Sequence, residues 1–327
     1  MPDIFYYRDR FLAPEETPVP IEERGHQFGD GVYEVVRVYG GRPFLLDWHL
    51  DRFERSLSVL EMANPFSRQE WVELITEAIR RSGFAEAQVY WQVTRGIAAR
   101  LHTFPASPTV PSLTVHAATP KHKPSGETQL LALPDDRWAN AYVKSINLLP
   151  NVVAKENAKR AGAVEALYVR SGVITEGAGS NAFFVRDGKL YTAPANRFIL
   201  GGITRRFVIE LARLANIPVV EQAISLDDLE TVDEVFMTSS TQEILPIQSI
   251  VVSRNHFRQL HALPEAAPEH QVCEPDELLT LWRTNAVPGQ LTERLDTAFQ
   301  AFVEEFRKHG VTLPGDISLK TSQPFSK

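Results

Sequence analysis

Cysteine is almost missing from this chain. Of 327 residues only Cys273 carries a thiol, which excludes an internal disulfide framework and a cysteine-rich metal site. Long apolar runs are missing too, and none approaches the ~18 residues that a membrane-spanning helix needs. The N-terminus, MPDIFYYRDRF, lacks a basic start followed by an apolar core, so no signal peptide is expected. Positive charge is not in excess: the net charge is −7, which disfavours a nucleic-acid partner. What is present is 43 % hydrophobic and 23 % charged, the balance of a soluble globular protein with a real core. These features together predict a cytoplasmic protein of one large or two ordinary domains, without a resident metal.

Periodicity divides the chain. GVYEVVRVYGGRPFLLD (31–47) reads as a hairpin turning at Gly40-Gly41, a pair that accepts positive φ. A helix follows, with apolar residues at Leu50, Phe53, Leu57 and Leu60. A second helix, 67–83, is opened by Ser67 with Glu70 three residues on and closed by Gly83. AQVYWQVTRG and SLTVHAAT read as strands. TPKHKPSGE (119–127) has no period and reads as a linker between a domain over 1–118 and one over 128–315. In the second domain a helix is expected over NVVAKENAKRAG, strands at EALYVRSGVITEG, a hairpin turning at Asp187-Gly188, a helix over 204–216 and a strand at DEVFMTSS. Residues 253–286 read as an insertion or long loop. A last helix carries Leu291, Leu295, Phe299, Phe302 and Phe306 on one stripe, and 316–327 is expected to be a flexible tail.

One short stretch is unusual. AYVKSINLLPN (141–151) reads as a strand whose alternation puts Lys144 on one face with Tyr142, Ile146 and Leu148. Lysine on an apolar face has two explanations. Its stem can lie there while the ammonium reaches water, or the amine is desolvated and works as a nucleophile or Schiff-base former. Lys155 and Lys159, one turn apart beside Glu156, fit a solvated helix face.

Three further segments favour chemistry. VITEGAGSN places Glu176 before a glycine-rich turn, where backbone N–H groups can converge on an anion. FILGGITRR puts two glycines before a helix starting with Ile203 and Thr204, a natural anion site. FMTSSTQEILP ends a strand in four hydroxyls, Thr238 to Thr241. Each alone could be an ordinary turn; together they suggest an amine, a carboxylate and a phosphate cradle.

RGHQFGDGVYEVVRV, HLDRFERS, KSINLLPNVVAKENAKRAGAVEALYV, TEGAGSNAFFV, ILGGITRR and TSSTQEILPI resemble, in order, the fold-type IV pyridoxal-phosphate aminotransferases. The resemblance runs from about residue 20 to residue 250 and resumes at VPGQLTERL. It implies an α+β, two-domain fold with a smaller N-terminal α/β domain and a larger C-terminal domain with a β-barrel-like core. It implies that Lys144 holds pyridoxal 5'-phosphate covalently and that Glu176 faces its pyridine nitrogen. Arg52, Ser180, Ile203, Thr204 and Ser240 are then cofactor-binding, and Leu200 packs on the ring. Ala178 and Gly179 stand where some relatives carry serines. The cofactor is an electron sink for the carbanion left when a Cα proton departs, and Lys144 would move that proton.

The substrate is suggested by VTRGIAARLHTFP (93–105). Arg100 and His102 are two apart and in an extended loop project the same way. The pair resembles the Arg-x-His motif of D-amino acid aminotransferases. There it traps the substrate carboxylate with a tyrosine, matched here by Tyr33, and reaches in from the neighbouring subunit of a homodimer. Thr241 joins the implied substrate contacts. Arginine suits the task because its planar fork makes two parallel hydrogen bonds to a carboxylate. The expected activity is transfer of the amino group of a D-amino acid to 2-oxoglutarate or pyruvate. Branched-chain L-amino acid or (R)-amine aminotransferase, and aminodeoxychorismate lyase, are rivals on the same fold, because a fold does not fix its chemistry.

Overall fold

Strand periodicity in the N-terminal third and helix periodicity after Leu46 become two layers of one unit. The computed structural model describes residues 3–13, 16, 19–118, 126–261 and 278–310. Most of the expected linker 119–127, residues 262–277 of the expected insertion, and the tail 316–327 lie outside the described residues. The chain forms two compact units. Among the described residues, the first adds Val143–Leu148 and 302–310 to the N-terminal stretch, and the second takes in Leu149–Ala301 and the residues leading to Tyr142.

The first unit comprises β1 (Ile4–Tyr7), β2 (Arg10–Leu12), α1 (Arg24–Phe28), β3 (Gly31–Tyr39), β4 (Arg42–Pro43), α2 (Leu46–Val59), α3 (Arg68–Ser82), β5 (Ala87–Thr94) and β6 (Val110–Ala117). Its six strands form one antiparallel sheet in the order β2-β1-β6-β5-β3-β4. The β3–β4 hairpin turns at Gly40 and Gly41, with φ of 56° and 75°, as their sequence predicts. Val32, Val36, Val38, Val89, Trp91 and Val93 are buried on the strands, and Leu50, Phe53, Leu57, Trp71 and Ile75 on α2 and α3. The Phe53 ring meets Trp71 and Trp91 edge-on, at centroid distances of 5.4 and 5.8 Å. Ser67 and Glu70 close the expected capping box on α3, and Gly83 ends the helix at φ 65°.

The second unit comprises β7 (Gln129–Pro134), α4 (Leu149–Arg160), β8 (Glu165–Arg170), β9 (Val173–Gly177), β10 (Asn181–Arg186), β11 (Lys189–Thr192), α5 (Ile203–Leu214), β12 (Val219–Val220), β13 (Glu234–Ser239), β14 (Glu243–Ile247), β15 (Ser249–Ser253), α6 (Arg254–Phe257), β16 (Leu278–Arg283) and the start of α7 (Gln290–His309). It has two five-stranded sheets, β12-β11-β10-β13-β14 and β16-β15-β7-β8-β9, which share one core. Leu130, Leu167, Val169 and Ile250 of one sheet pack with Phe184, Val235, Met237 and Ile247 of the other. The parallel pair β7–β8 needs a long crossover, and that crossover carries both Lys144 and α4.

Two expectations are corrected. Residues 253–286 are not loop throughout: α6 opens the stretch and Leu278–Arg283 forms β16, paired antiparallel to β15. Leu278, Leu279, Leu281 and Trp282 supply its apolar character, a short run concealed by the polar sequence around it. The Lys144 segment is not a strand of either sheet; only Ser145 makes an isolated bridge, to Val32.

Candidate active site

Lys144 is fixed through its backbone. Its carbonyl accepts from the Tyr33 N–H at 2.9 Å, and its own N–H donates to Ser56 Oγ at 3.2 Å. Two residues on, the Ile146 N–H donates to the Gly31 carbonyl at 3.0 Å. Glycine is required where this segment crosses the sheet. A Cβ on Gly31 would come within 2.7 Å of the Val93 carbonyl oxygen, and one on Gly29 within 3.2 Å of Asn147 Cα. The alternation holds over 142–146, with Asn147 exposed, but its burial is the reverse of the expectation. Val143 and Ser145 are buried, whereas Tyr142, Lys144, Ile146 and Leu148 are half-buried. The segment rests on the sheet through Val143 and Ser145, so the lysine face lines an accessible surface. The ammonium sits 4.1 Å from the centroid of the Tyr33 ring, and that ring stacks on Tyr90 at 5.5 Å.

Behind this surface lies a second charged group on an apolar strand face. Glu34 shares its side of β3 with Val32, Val36 and Val38 and is fully buried. Its carboxylate accepts from Arg52 Nε and Nη2, each at 2.7 Å, and contacts His49 Nδ1 at 2.8 Å. His49 and Arg52 are three apart on α2 and therefore share a face. Burial alone would raise the Glu34 pKa. The Arg52 charge and the hydrogen bonds from Arg52 and His49 outweigh it and hold the group down at about 2. Burial pushes His49 below its ordinary value, and because an ionised carboxylate can only accept, the Nδ1 facing Glu34 carries a proton.

In the second unit Glu176 is buried at the end of β9. It accepts from Arg137 Nη1 at 2.8 Å, from Asn181 Nδ2 at 3.0 Å and from the Leu200 N–H at 3.0 Å. Burial raises its pKa to about 7, against the opposing pull of Arg137 and the Leu200 N–H. Arg137 is held in turn by Asp135 through Nε and Nη2 at 2.9 and 3.1 Å. Asn181 also donates to the Leu200 carbonyl at 2.9 Å, and a Cβ on Gly202 would meet Asn181 Oδ1 at 2.0 Å. Gly202 is the N-cap of α5 and supplies no side chain to its first turn; Ile203 and Thr204 are buried there. The acid and the start of this helix are thus tied together through Asn181.

The remaining expected residues are more scattered. Ser240 and Thr241 form the β13–β14 turn, where Ser239 Oγ lies 3.4 Å from Thr241 Oγ1. Ser180 Oγ donates to Glu165 at 3.1 Å, so its hydroxyl is engaged away from Glu176. Lys155 and Lys159 are exposed, and Lys155 pairs with the same Glu165 at 3.1 Å. Arg100 and His102 lie on an exposed loop of the first unit. The Arg100 guanidinium is 5.0 Å from the Phe28 ring centroid and the His102 ring 5.8 Å from it. Both side chains therefore project the same way, as their spacing predicts.

Residues 31–250 match the family model for class IV amino-transferases. The chain belongs to the class IV aminotransferases. This aminotransferase is 40 % identical to the D-alanine aminotransferase of Listeria monocytogenes over 249 residues, 74 % of this chain and 86 % of the relative. It is 36 % identical to that of Staphylococcus epidermidis over 248 residues, 75 % and 88 % of the two chains. The branched-chain aminotransferase of Thermoproteus uzoniensis shares the fold, with a TM-score of 0.76 at 22 % identity over 93 % of this chain and 96 % of that one. So does the branched-chain enzyme of Escherichia coli, at 0.73 and 24 % over 92 % and 94 %.

Sequence reading missed three residues around the sites of this aminotransferase. Glu34 breaks the apolar parity of Val32, Val36 and Val38, the same signal that singled out Lys144. Arg137 stands in DDRW, directly after the apolar run LLALP, where a charge cluster looks like a solvated turn. Asn181 opens β10 and has no local signature.

Proposed function

We propose that this aminotransferase takes pyridoxal 5'-phosphate and moves the amino group of a D-amino acid such as D-alanine to 2-oxoglutarate or pyruvate by a ping-pong mechanism, as a cytoplasmic homodimer. The donor set fits that cofactor. Lys144 is an amine on an accessible face with its backbone pinned on both sides. Glu176 is a buried acid whose proton affinity lies near neutrality. A Cβ on Gly201 would find no closer neighbour than Ala195 Cβ at 3.9 Å, so the approach to the start of α5 is open. When bound, the cofactor supplies an aldehyde for amines and a ring that delocalises the charge left at Cα.

The residues take their parts from their chemistry. Lys144 would hold the cofactor through Nζ and would move the proton at Cα of the substrate. Glu176 would hold a proton toward the ring nitrogen, and Leu200 would line the ring. Ile203 and Thr204 would bind the phosphate at the helix start, and Ser240 would add a hydroxyl to it. Arg52 adds a guanidinium aimed by Glu34. Ser180 is left out, because its hydroxyl is committed to Glu165. Arg100, His102, Tyr33 and Thr241 bind substrate, the first two from the neighbouring subunit.

The D-amino acid reading is carried by Arg100 and His102 converging on one ring, in a chain with D-alanine aminotransferases among its relatives. A carboxylate held by that pair decides which enantiomer turns its Cα–H bond toward Lys144. Supplying D-alanine or L-leucine with 2-oxoglutarate and following the new oxo acid tests it. Pyruvate from D-alanine is expected, and turnover of leucine alone would move the protein to the branched-chain group. Lys144→Ala should abolish both turnover and the near-visible absorbance of the holoenzyme.

A further inference from the structure

RGHQFGDG (24–31) has no assigned part in the chemistry, yet it is built around buried charges. Arg24 and Arg95 are both buried and both bind Asp30. Arg24 Nε donates to Asp30 Oδ2 at 2.9 Å, and Arg95 Nε reaches Oδ2 and Oδ1 at 2.9 and 3.1 Å. Two guanidinium groups on one carboxylate form a fixed point in the unit, and each reaches from it into the loop that carries Arg100 and His102.

Arg24 Nη1 donates to the Leu101 carbonyl, between those two residues, at 2.7 Å. The Arg95 guanidinium lies 3.7 Å from the Phe104 ring centroid. At the root of the loop the Arg24 N–H donates to the Gly96 carbonyl at 2.9 Å, and Ser107 Oγ donates to the Arg95 carbonyl at 2.9 Å. Gly96, at φ 89°, brings the two ends of the loop together; a Cβ there would come within 2.1 Å of the Pro108 carbonyl oxygen. Phe28, the last residue of α1, stands between Arg24 at 4.8 Å and the pair Arg100 and His102. An exposed loop without secondary structure is thereby held at its root, its middle and its tip side chains.

We propose that Arg24, Asp30 and Arg95 are positioning residues that clamp this loop, and that the Phe28 ring aims Arg100 and His102 at the carboxylate of the substrate. This rests on the carboxylate role given to that pair above. A loose loop would leave each guanidinium or imidazole to be ordered by the substrate itself, and the entropy of that ordering weakens binding. The clamp therefore acts on substrate affinity and leaves proton transfer at Cα alone.

Phe28→Leu removes the aromatic face while keeping an apolar side chain, Phe28→Tyr keeps the face, and Arg24→Met releases the Leu101 carbonyl. In the holoenzyme, Phe28→Leu and Arg24→Met should raise KM for D-alanine roughly tenfold, the scale of a loss of about 1.4 kcal/mol, with kcat within about twofold. Phe28→Tyr should restore KM. Amide hydrogen exchange over residues 97–104 should quicken in Arg24→Met, and should do so whatever the substrate is. Unchanged exchange in a folded Arg24→Met enzyme overturns the clamp. An unchanged KM in Phe28→Leu, where Arg100→Ala raises it, overturns the aiming role. If Arg100→Ala also leaves KM unchanged, the carboxylate reading fails, while the exchange result still decides the clamp.

Discussion

Glu34 and Glu176 are both buried carboxylates bound by a guanidinium, yet they are driven in opposite directions. Glu34 receives two hydrogen bonds from Arg52 and one contact from His49, and falls from 4.5 to about 2. Its stabilisation is fully present above pH 4.5 and is lost as the pH falls through about 2; the shift corresponds to roughly 3 kcal/mol. Glu176 shares its arginine with Asp135, so burial prevails and the pKa rises from 4.5 to about 7. Its contribution is fully present below pH 4.5 and disappears as the pH climbs through about 7. In cofactor-free enzyme, urea unfolding followed against pH should therefore show Glu34→Gln weakening the acid dependence. Glu176→Gln should flatten the decline between pH 4.5 and 7 while leaving the acid limb as it was. A wild-type curve that rises across that upper window would mean that Arg137 holds Glu176 ionised. An acid poised near neutrality would be able to hold or release a proton at working pH, which is the use the proposed chemistry makes of the shift.

At the scale of elements, legibility followed local signals. Helix α3 was readable to the residue from its capping box and closing glycine, and α7 from a stripe of five apolar residues. The Gly-Gly and Asp-Gly hairpins were equally plain. What the sequence hid were elements whose partners are distant: β1 and β2, which close the first sheet at Ile4–Leu12, and β16, six residues inside a polar stretch. The Lys144 segment looked like a strand because its alternation is real. It makes only one bridge, since its neighbours are the glycine-lined start of β3 and the Ser56 hydroxyl of α2. Among the candidate site residues, the position of Ile203 and Thr204 at the opening of a helix was visible because two glycines precede it. The link through Asn181 was not, because it depends on a close packing that a Cβ on residue 202, 2.0 Å from Asn181 Oδ1, would forbid. Gly202→Ala should push Asn181 off both Glu176 and the Leu200 carbonyl. Pyridoxal phosphate affinity, titrated by absorbance or fluorescence, should drop about tenfold, or ~1.4 kcal/mol. Ser67→Ala, which removes the α3 cap and has no assigned part in the site, should lower stability by about 1 kcal/mol and leave that affinity unchanged.

For the whole molecule, a division at the linker does not describe where the chain packs. Val143–Leu148 and residues 302–310 belong with the first unit although both come from beyond residue 128. Phe302 and Phe306 are buried and meet the Phe44 ring edge-on at 6.0 and 5.1 Å. Arg307 pairs with Glu86 at 3.2 Å, and Arg42 Nη1 donates to the Arg307 carbonyl at 2.6 Å. Val143 is buried against the same unit, and its neighbours hydrogen-bond to Gly31, Tyr33 and Ser56. Two phenylalanines and a valine at roughly 1.5–3 kcal/mol each come to about 5–9 kcal/mol, comparable with the ~5–15 kcal/mol by which a whole domain is stable. A fragment ending at residue 118 should therefore lack a fixed core: weak near-ultraviolet circular dichroism from Trp71 and Trp91, and no cooperative thermal transition. A sharp transition in that fragment would show that the N-terminal stretch folds by itself. The lysine would then be carried to it by a chain that contributes nothing to its stability. If the fragment is loose, as the packing implies, the segment bearing Lys144 helps build the unit that orients it, and the Lys144 side chain is set in place by folding itself.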